Sequence, residues 1–455
     1  MFDQFCEKSP VTVMTRVAME YALAPSWVND LFERTAESQY TRNLTLSTLV
    51  DLMAPVVCGI HQSLRSSYIK STAEIGASIS AVYDKLARLE TGVSETLVHE
   101  SSERLAAIID AMPAGRRTAL LAGYRTKILD GNCLAATDHR IFELRSMAAA
   151  PLPGKSLVIL DPERMLLVDL FACEDAYTQE RSLLDRVLET VQSDDLWIAD
   201  RHFCTSGFLR GLDQRGGSFV IRHHRSMTLE HSDSWQELGP SDTGYVMERP
   251  VRVLNNEGEW LSLRLVRVIL SDKTRDGDEE LLLLTNLPAS SADAITVATL
   301  YHRRWLLETA FLHLTETLRC EINTLGYPKA ALFGFSMAAI SYNILAVTRA
   351  AMRSCHGQEK GDDQLSMHAI VDEIAGTYRG MEIALPSEQW VAFRSYSPRQ
   401  IADKLTAWAE KVALRRFRKA VRGPKKEPPT KKYNKKQPHV SIKRVLNKRR
   451  PYNAP

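Results

Sequence analysis

The tightest constraint on the fold lies between residues 125 and 222, where short apolar runs alternate with helical ones. Arg125–Asp130 (RTKILD), Ser156–Asp161 (SLVILD) and Arg164–Phe171 (RMLLVDLF) read as three successive strands. A helix is expected over Gln179–Gln192, a strand at Leu196–Asp200 (LWIAD), a helix at Thr205–Gln214 and a fifth strand at Ser218–Arg222 (SFVIR). Apolar runs this short suit strands, and their alternation with helices calls for an α/β layer architecture. The first and fourth strands end on carboxylates, Asp130 and Asp200. In an open sheet the carboxyl ends of the strands face the ligand crevice.

The order strand, strand, strand, helix, strand, helix, strand is the ribonuclease H order. The expected fold class is therefore α/β, with a ribonuclease-H-like mixed sheet core over 119–225 and 294–355. A β-rich insertion is expected at 226–293, where VMERPVRVL, LSLRLVRVIL and ELLLLTNL are separated by polar turns. Residues 1–118 read as a helical N-terminal domain, because apolar residues recur at helical spacing in VTRVAMEYAL and LSTLVDLMAPVVCGI. Within it, Ser71–Glu90 reads as two short helices around Gly76-Ala77-Ser78, either a helix-turn-helix DNA reader or an ordinary helix pair. Phe333–Thr348 is apolar but carries Ser336, Ser341, Asn343 and Thr348, and it falls short of the about twenty strongly apolar residues of a membrane span. A buried core helix is expected there. Gly357–Gln364 reads as a polar linker at the start of a C-terminal helical region over 356–413, whose helix returns at 365.

A long helix expected from Val297 carries Glu308. At about 100° per residue, Tyr301, Arg304 and Glu308 fall within about 60° of one another on one face. A plain reading is a solvated stripe with an Arg304–Glu308 ion pair. The chemical reading is that Glu308 faces Asp130 and Asp200 across the crevice. Three carboxylates so placed suit Mg²⁺, which prefers oxygen ligands and retains waters. Paired ions about 3.5–4 Å apart activate an attacking oxygen and stabilise a leaving one.

Tyr301-x2-Arg304-x3-Glu308 resembles the Y-x2-R-x3-E-x6-K signature of the insertion-sequence-four-type bacterial DDE transposases. The segments YHRRWLLE, IADRHF, DGN, PLPGKSLVILDPE and EDAYTQERSLL also resemble that family. The resemblance runs from about Val13 to Arg349. It implies a catalytic, metal-binding triad of Asp130, Asp200 and Glu308 using Mg²⁺, with Mn²⁺ as a substitute. It implies that Tyr301 and Arg304 contact DNA phosphates, and that the N-terminal helices bind element ends. It further implies a cytoplasmic enzyme working as a homodimer on double-stranded DNA, at terminal inverted repeats and at a target. Where the family has its Lys, this chain has Thr315, which brings no charge. Arg319, one turn on and at about the same angle, is the candidate substitute, though about 16 Å along the axis from Glu308. Asp138 competes with Asp130 as first ligand.

Net charge is only +3, but it is unevenly spread. Residues 411–455 hold 17 of the 58 basic residues and one of the 55 acidic ones, so the tail is +16 and the remainder −13. Such asymmetry suggests an acidic body with a basic arm for nucleic acid. Lys425, Lys426, Lys431, Lys432, Lys435, Lys436, Lys448, Arg449 and Arg450 are expected to touch backbone phosphate, which confers affinity and salt dependence but no sequence choice. The tail (414–455), above all from Gly423, has few apolar residues and is expected to be disordered. The seven cysteines have no C-x-x-C spacing, and the histidines from His202 to His313 lack zinc-site spacing. Asp175 and Glu180 read as helix caps, Arg201 and His202 as surface or phosphate-facing residues. Trp235 and Trp260 read as core packing, with stacking on an extruded base as the alternative.

Overall fold

The computed structural model describes residues 1–38, 44–72, 75–231, 234–254, 258–274, 277–420 and 439–448. Its N-terminal part is helical: α1 (Phe2–Lys8), α2 (Pro10–Ala22), α3 (Pro25–Thr35), α4 (Leu46–Val57), α5 (Leu64–Ser71), α6 (Ile79–Arg88) and α7 (Thr91–Ala111). Pro10 and Pro25 open α2 and α3, where a missing N–H costs nothing and the fixed φ already suits a helix. Thr45 and Ser78 accept the amides of Thr48 and Ala81, satisfying orphan donors at the starts of α4 and α6. The helix pair expected within Ser71–Glu90 is displaced. Only α6 lies inside that stretch; its predecessor α5 ends at Ser71, so the segment between them, 72–78, exceeds the about 3–4-residue turn of a helix-turn-helix.

The next elements are β1 (Arg125–Cys133), β2 (Ala150–Leu152), β3 (Lys155–Asp161), β4 (Leu166–Cys173), α8 (Leu184–Leu188), β5 (Asp195–Ala199), α9 (Ser206–Gln214) and β6 (Ser218–Arg222). The helix expected over Gln179–Gln192 is shorter, a 3₁₀ turn at Glu180–Leu183 leading into α8. Four further strands follow: β7 (Gln236–Ser241), β8 (Gly244–Leu254), β9 (Trp260–Leu270) and β10 (Glu280–Thr285). All but β2 join one sheet in the order β4-β3-β1-β5-β6-β10-β9-β8-β7. β1 is antiparallel to β3 and parallel to β5, and β5 is parallel to β6. This mixed α/β arrangement is consistent with a ribonuclease-H-like core. The β-rich insertion does not form a separate layer: β10 pairs antiparallel with β6, so the insertion lengthens the same sheet.

Side chains alternate across each strand, and the sheet is covered on both faces. Ile128, Val158, Ile198 and Val220 pack into the large cluster shared with the N-terminal and C-terminal helices. Leu129, Ile159, Ala199 and Ile221 pack against α8 and α9. That is why β3 is apolar along most of its length.

After the sheet come α10 (Ala294–His302), α11 (Trp305–Leu312), α12 (Pro328–His356), α13 (Met367–Ala384), α14 (Glu388–Val391) and α15 (Pro398–Ala409). α12 is long and apolar enough to cross a membrane by composition, yet its apolar window is wholly buried within the fold, as a core helix should be. Its polar residues have local work. The Asn343 side chain donates to the Leu167 carbonyl (2.8 Å) and accepts the Leu167 amide (2.7 Å), so it terminates the outer edge of β4. The expected linker Gly357–Gln364 instead contains a π-helical turn at Glu359–Asp363, with Asp362 buried against Arg117, Arg349 and Arg353. Residues 439–448 correct the expectation of a wholly disordered tail. β11 (His439–Ser441) pairs parallel with β2, and α16 (Ile442–Lys448) seats Ile442 against Ile141 and Leu144.

Candidate active site

Two-residue alternation decides which way the key aspartates point. Ile128 and Ile198 face the cluster that contains Tyr301 and Leu307, so Asp130 and Asp200, two residues further on, face the same way. Leu129 and Ala199 form the last rung joining β1 to β5, which puts both aspartates just past it, side by side. Asp200 follows its strand as expected. Asp130 does not end β1, because the strand continues beside β3 to Cys133.

The helix above them is not continuous. Asp293 caps α10 by accepting the Thr296 amide (2.7 Å). Arg303 and Arg304 form a turn between α10 and α11, and π-helical geometry over His313–Thr317 ends the run. Tyr301, Arg304 and Glu308 still meet on the face toward the sheet. The Tyr301 hydroxyl donates to Asp200 Oδ1 (3.3 Å). Arg304 Nη1 donates to Asp130 Oδ2 (2.9 Å), and Nη2 donates to Glu308 Oε1. The guanidinium therefore sits between two of the three carboxylates. Its Nε is buried and has no hydrogen-bond partner among the described residues.

Burial pushes the Asp130 carboxyl up to about 6; Arg304 and the Gly131 amide pull it back, while Asp200 and Glu308 push it further. Burial also raises the Tyr301 hydroxyl above its usual range, reinforced by Asp200. These shifts describe three acids crowded around one cation in a partly dry crevice.

The other sequence-derived residues are placed as follows. Asp138 pairs with Arg140 (3.1 Å) and is half exposed; it has no contact with Arg304, Asp200 or Glu308 among the described interactions. The Thr315 hydroxyl turns back onto the Phe311 carbonyl (3.0 Å). Arg319 lies beyond the helical run, its amide bonded to the Val57 carbonyl (2.8 Å), so the shared-face argument for it lapses. Asp175 does not cap a helix: it accepts from Ser441 and Arg444 of the tail. Trp260 is exposed beneath Arg252 rather than packed in the core, while Trp235 packs at the edge of the second cluster with Arg249 over its ring. Lys425, Lys426, Lys431, Lys432, Lys435, Lys436, Arg449 and Arg450 lie outside the described residues.

Arg222 escaped sequence reasoning, and Glu180 was read only as a helix cap, a position that Gln179 takes. Arg222 ends β6 one rung beyond Ala199↔Ile221, beside Asp200, and it pairs with Asp278 (2.7 Å). Its signal was a charge closing an apolar strand, meaningful only once β5 and β6 are known to be parallel. Glu180 lies against Gly131, where a Cβ would come within 2.5 Å of its carboxyl carbon, so the glycine after Asp130 leaves room for a further acid on the opposite face of β1.

Among the described residues, no three Asp, Glu, His or Cys side chains stand close enough to hold an ion as they are placed. The donor set is nonetheless entirely carboxylate oxygen, the chemistry of a hard divalent cation. The Arg304 guanidinium lies between two of these donors, Asp130 and Glu308.

Residues 124–344 match the family described as transposase DDE domain. This supports a DDE transposase family. The matched segment opens just before β1, includes Asp130, Asp200 and Glu308, and closes within α12. No curated protein matches the chain. Transposases of this kind act on DNA and generally use divalent metals. The helices α1–α7 and the basic tail lie outside the matched DDE segment.

Proposed function

We propose that this chain is the transposase of a bacterial insertion sequence. It binds terminal inverted repeats and carries out Mg²⁺-dependent strand cleavage and strand transfer as a homodimer on double-stranded DNA. The observation that carries this reading is the convergence of Asp130, Asp200 and Glu308 with Tyr301 and Arg304, inside a segment similar to a transposase DDE domain.

Each residue has a distinct task in this reading. Asp130, Asp200 and Glu308 would hold the ions, and none supplies a nucleophile. Bound Mg²⁺ supplies activation of the attacking oxygen and neutralisation of the leaving one. The Tyr301 hydroxyl orients the Asp200 carboxylate by its hydrogen bond. Arg304, paired with Asp130 and Glu308, and Arg222, paired with Asp278 beside Asp200, can meet phosphate oxygens by charge-assisted hydrogen bonds. The N-terminal helices (1–118) bind element ends, and the basic tail adds affinity without sequence choice. Phosphoryl transfer of this type depends on positioning and electrostatics rather than covalent protein chemistry.

Thr315 favours a second reading, a transposase-derived DNA-binding protein that no longer cuts. Its hydroxyl is spent on the Phe311 carbonyl and offers phosphate no cation. Mg²⁺ and a DNA carrying inverted repeats decide between the two. Strand transfer supports the transposase, hydrolysis alone a plain nuclease, and binding without cutting the inactive form. Asp130→Ala is expected to abolish cleavage while end binding stays within about twofold of wild type; cleavage at the wild-type rate would remove Asp130 from the triad.

A further inference from the structure

We propose that Arg304 fills the ion seat until DNA arrives, so that divalent-ion binding and phosphate binding are coupled through one guanidinium. The inference rests on the reading of Asp130, Asp200 and Glu308 as metal ligands. Four observations carry it. Arg304 bridges Asp130 and Glu308, the two triad members contributed by the first strand and by the helix. With it in place, no three acidic or imidazole side chains among the described residues can share an ion. Its seat is imperfect, because Nε is buried without a partner among the described residues, and an unmade hydrogen bond of this kind weakens the hold. It also has somewhere to go. Arg304 borders a cavity of about 290 Å³ between the α10–α11 junction and strands β9 and β10, and Asp242 and Asp272 line it together with Ser271, His302 and Trp305, so it offers a displaced guanidinium carboxylate partners.

The physical consequence is competition between like charges. A guanidinium and a divalent cation cannot occupy the same gap between Asp130 and Glu308. A DNA phosphate brought within reach of Arg304 offers it a bidentate, charge-assisted partner in exchange for its two carboxylate contacts. Drawing Arg304 away frees the two carboxylates, and an ion seated there would equally release Arg304 toward phosphate. Such coupling is reciprocal: each ligand tightens the other by the same factor. The protein would then hold its ion seat closed when no DNA is present.

The test is Mn²⁺ binding to DNA-free protein, followed by electron paramagnetic resonance and by the thermal shift on adding Mn²⁺. Wild type, Arg304→Ala, Arg304→Gln and Asp130→Asn are compared, with far-UV circular dichroism checking that each is folded. Arg304→Ala and Arg304→Gln are expected to bind Mn²⁺ tighter than wild type by about tenfold, within the usual range for coupled sites. A short blunt duplex should tighten Mn²⁺ on wild type and leave the two Arg304 variants unchanged. If both Arg304 variants bind Mn²⁺ no tighter than wild type while Asp130→Asn still weakens binding, the triad is an ion seat and Arg304 does not fill it. If Asp130→Asn leaves Mn²⁺ binding unaltered with or without duplex, the triad reading fails and this inference fails with it.

Discussion

Tyr301, Arg304 and Glu308 were legible in the sequence because helical spacing alone brings them to one face, and the break at Arg303–Arg304 does not turn that face away. Asp200 was legible because its strand ends there. Asp130 was harder, because β1 outruns it by three residues on the β3 side while its pairing with β5 stops one residue before it. Arg222 was out of reach for a different reason: nothing local in SFVIR says that its terminal charge lies beside Asp200, which only the parallel register reveals. Asn343 is another residue whose meaning is non-local. In the sequence it marks an apolar helix as too polar for a membrane. In the fold it satisfies both backbone groups of Leu167, which is fully buried. Asn343→Leu keeps the branching of the side chain but adds bulk at a buried site and strands a buried N–H and C=O, at about 1–3 kcal/mol each. Urea denaturation is expected to show a loss of about 2–4 kcal/mol; a loss under about 0.5 kcal/mol would mean that the β4 edge finds other partners.

Elements were read more reliably by type than by extent. The strands of the core were visible as apolar runs, and α12 as a buried helix. The Gln179–Gln192 helix came out short at both ends: its first turn, Glu180–Leu183, is 3₁₀, and α8 stops at Leu188, well before Asp194 (φ +65°) leads into β5. The helix bearing Glu308 was read as running past Arg319, and its π-helical end over His313–Thr317 has no signature in a wheel. That end carries a titratable group with a marked shift. Burial lowers the His313 imidazole to about 4, with Arg349 and Lys419 pushing the same way. A depressed histidine binds fewer protons folded than unfolded between its folded value and about 6.5, so its stabilisation is full above about 6.5 and fades as pH falls toward 4. The expected loss is of order 2–3 kcal/mol across that window. His313→Gln should flatten this part of the stability–pH curve, measured by denaturant melts from pH 7 to 4. A slope identical to wild type would place the acid sensitivity elsewhere.

At the scale of the molecule, the charge asymmetry was plain from the sequence, but the docking of residues 439–448 was not, because a hook of so few apolar residues carries no periodic signal. It is held by Ile442 in a small apolar seat and by Lys443–Glu174 (2.8 Å) and Arg444–Asp175 (2.7 Å). Asp175 also receives Ser441 (2.7 Å), so it is the main polar anchor. Asp175→Ala is expected to release the hook, raising amide hydrogen exchange at Leu152 and at Val440 and Ser441 by tenfold or more, about 1.4 kcal/mol at 25 °C; unchanged protection there would mean that Ile442 holds it alone. α12 has a consequence in time rather than space. It supplies the surface against which α2, α4 and α7 pack, and Thr15 meets Thr348 across 333 residues of chain. At roughly 5–20 residues per second of synthesis, α2 leaves the ribosome tens of seconds before its partner exists. During that interval Val11, Val13, Met14 and Val17 lack the cover that α12 gives them, so this apolar face stays partly exposed until the last third of the chain is translated.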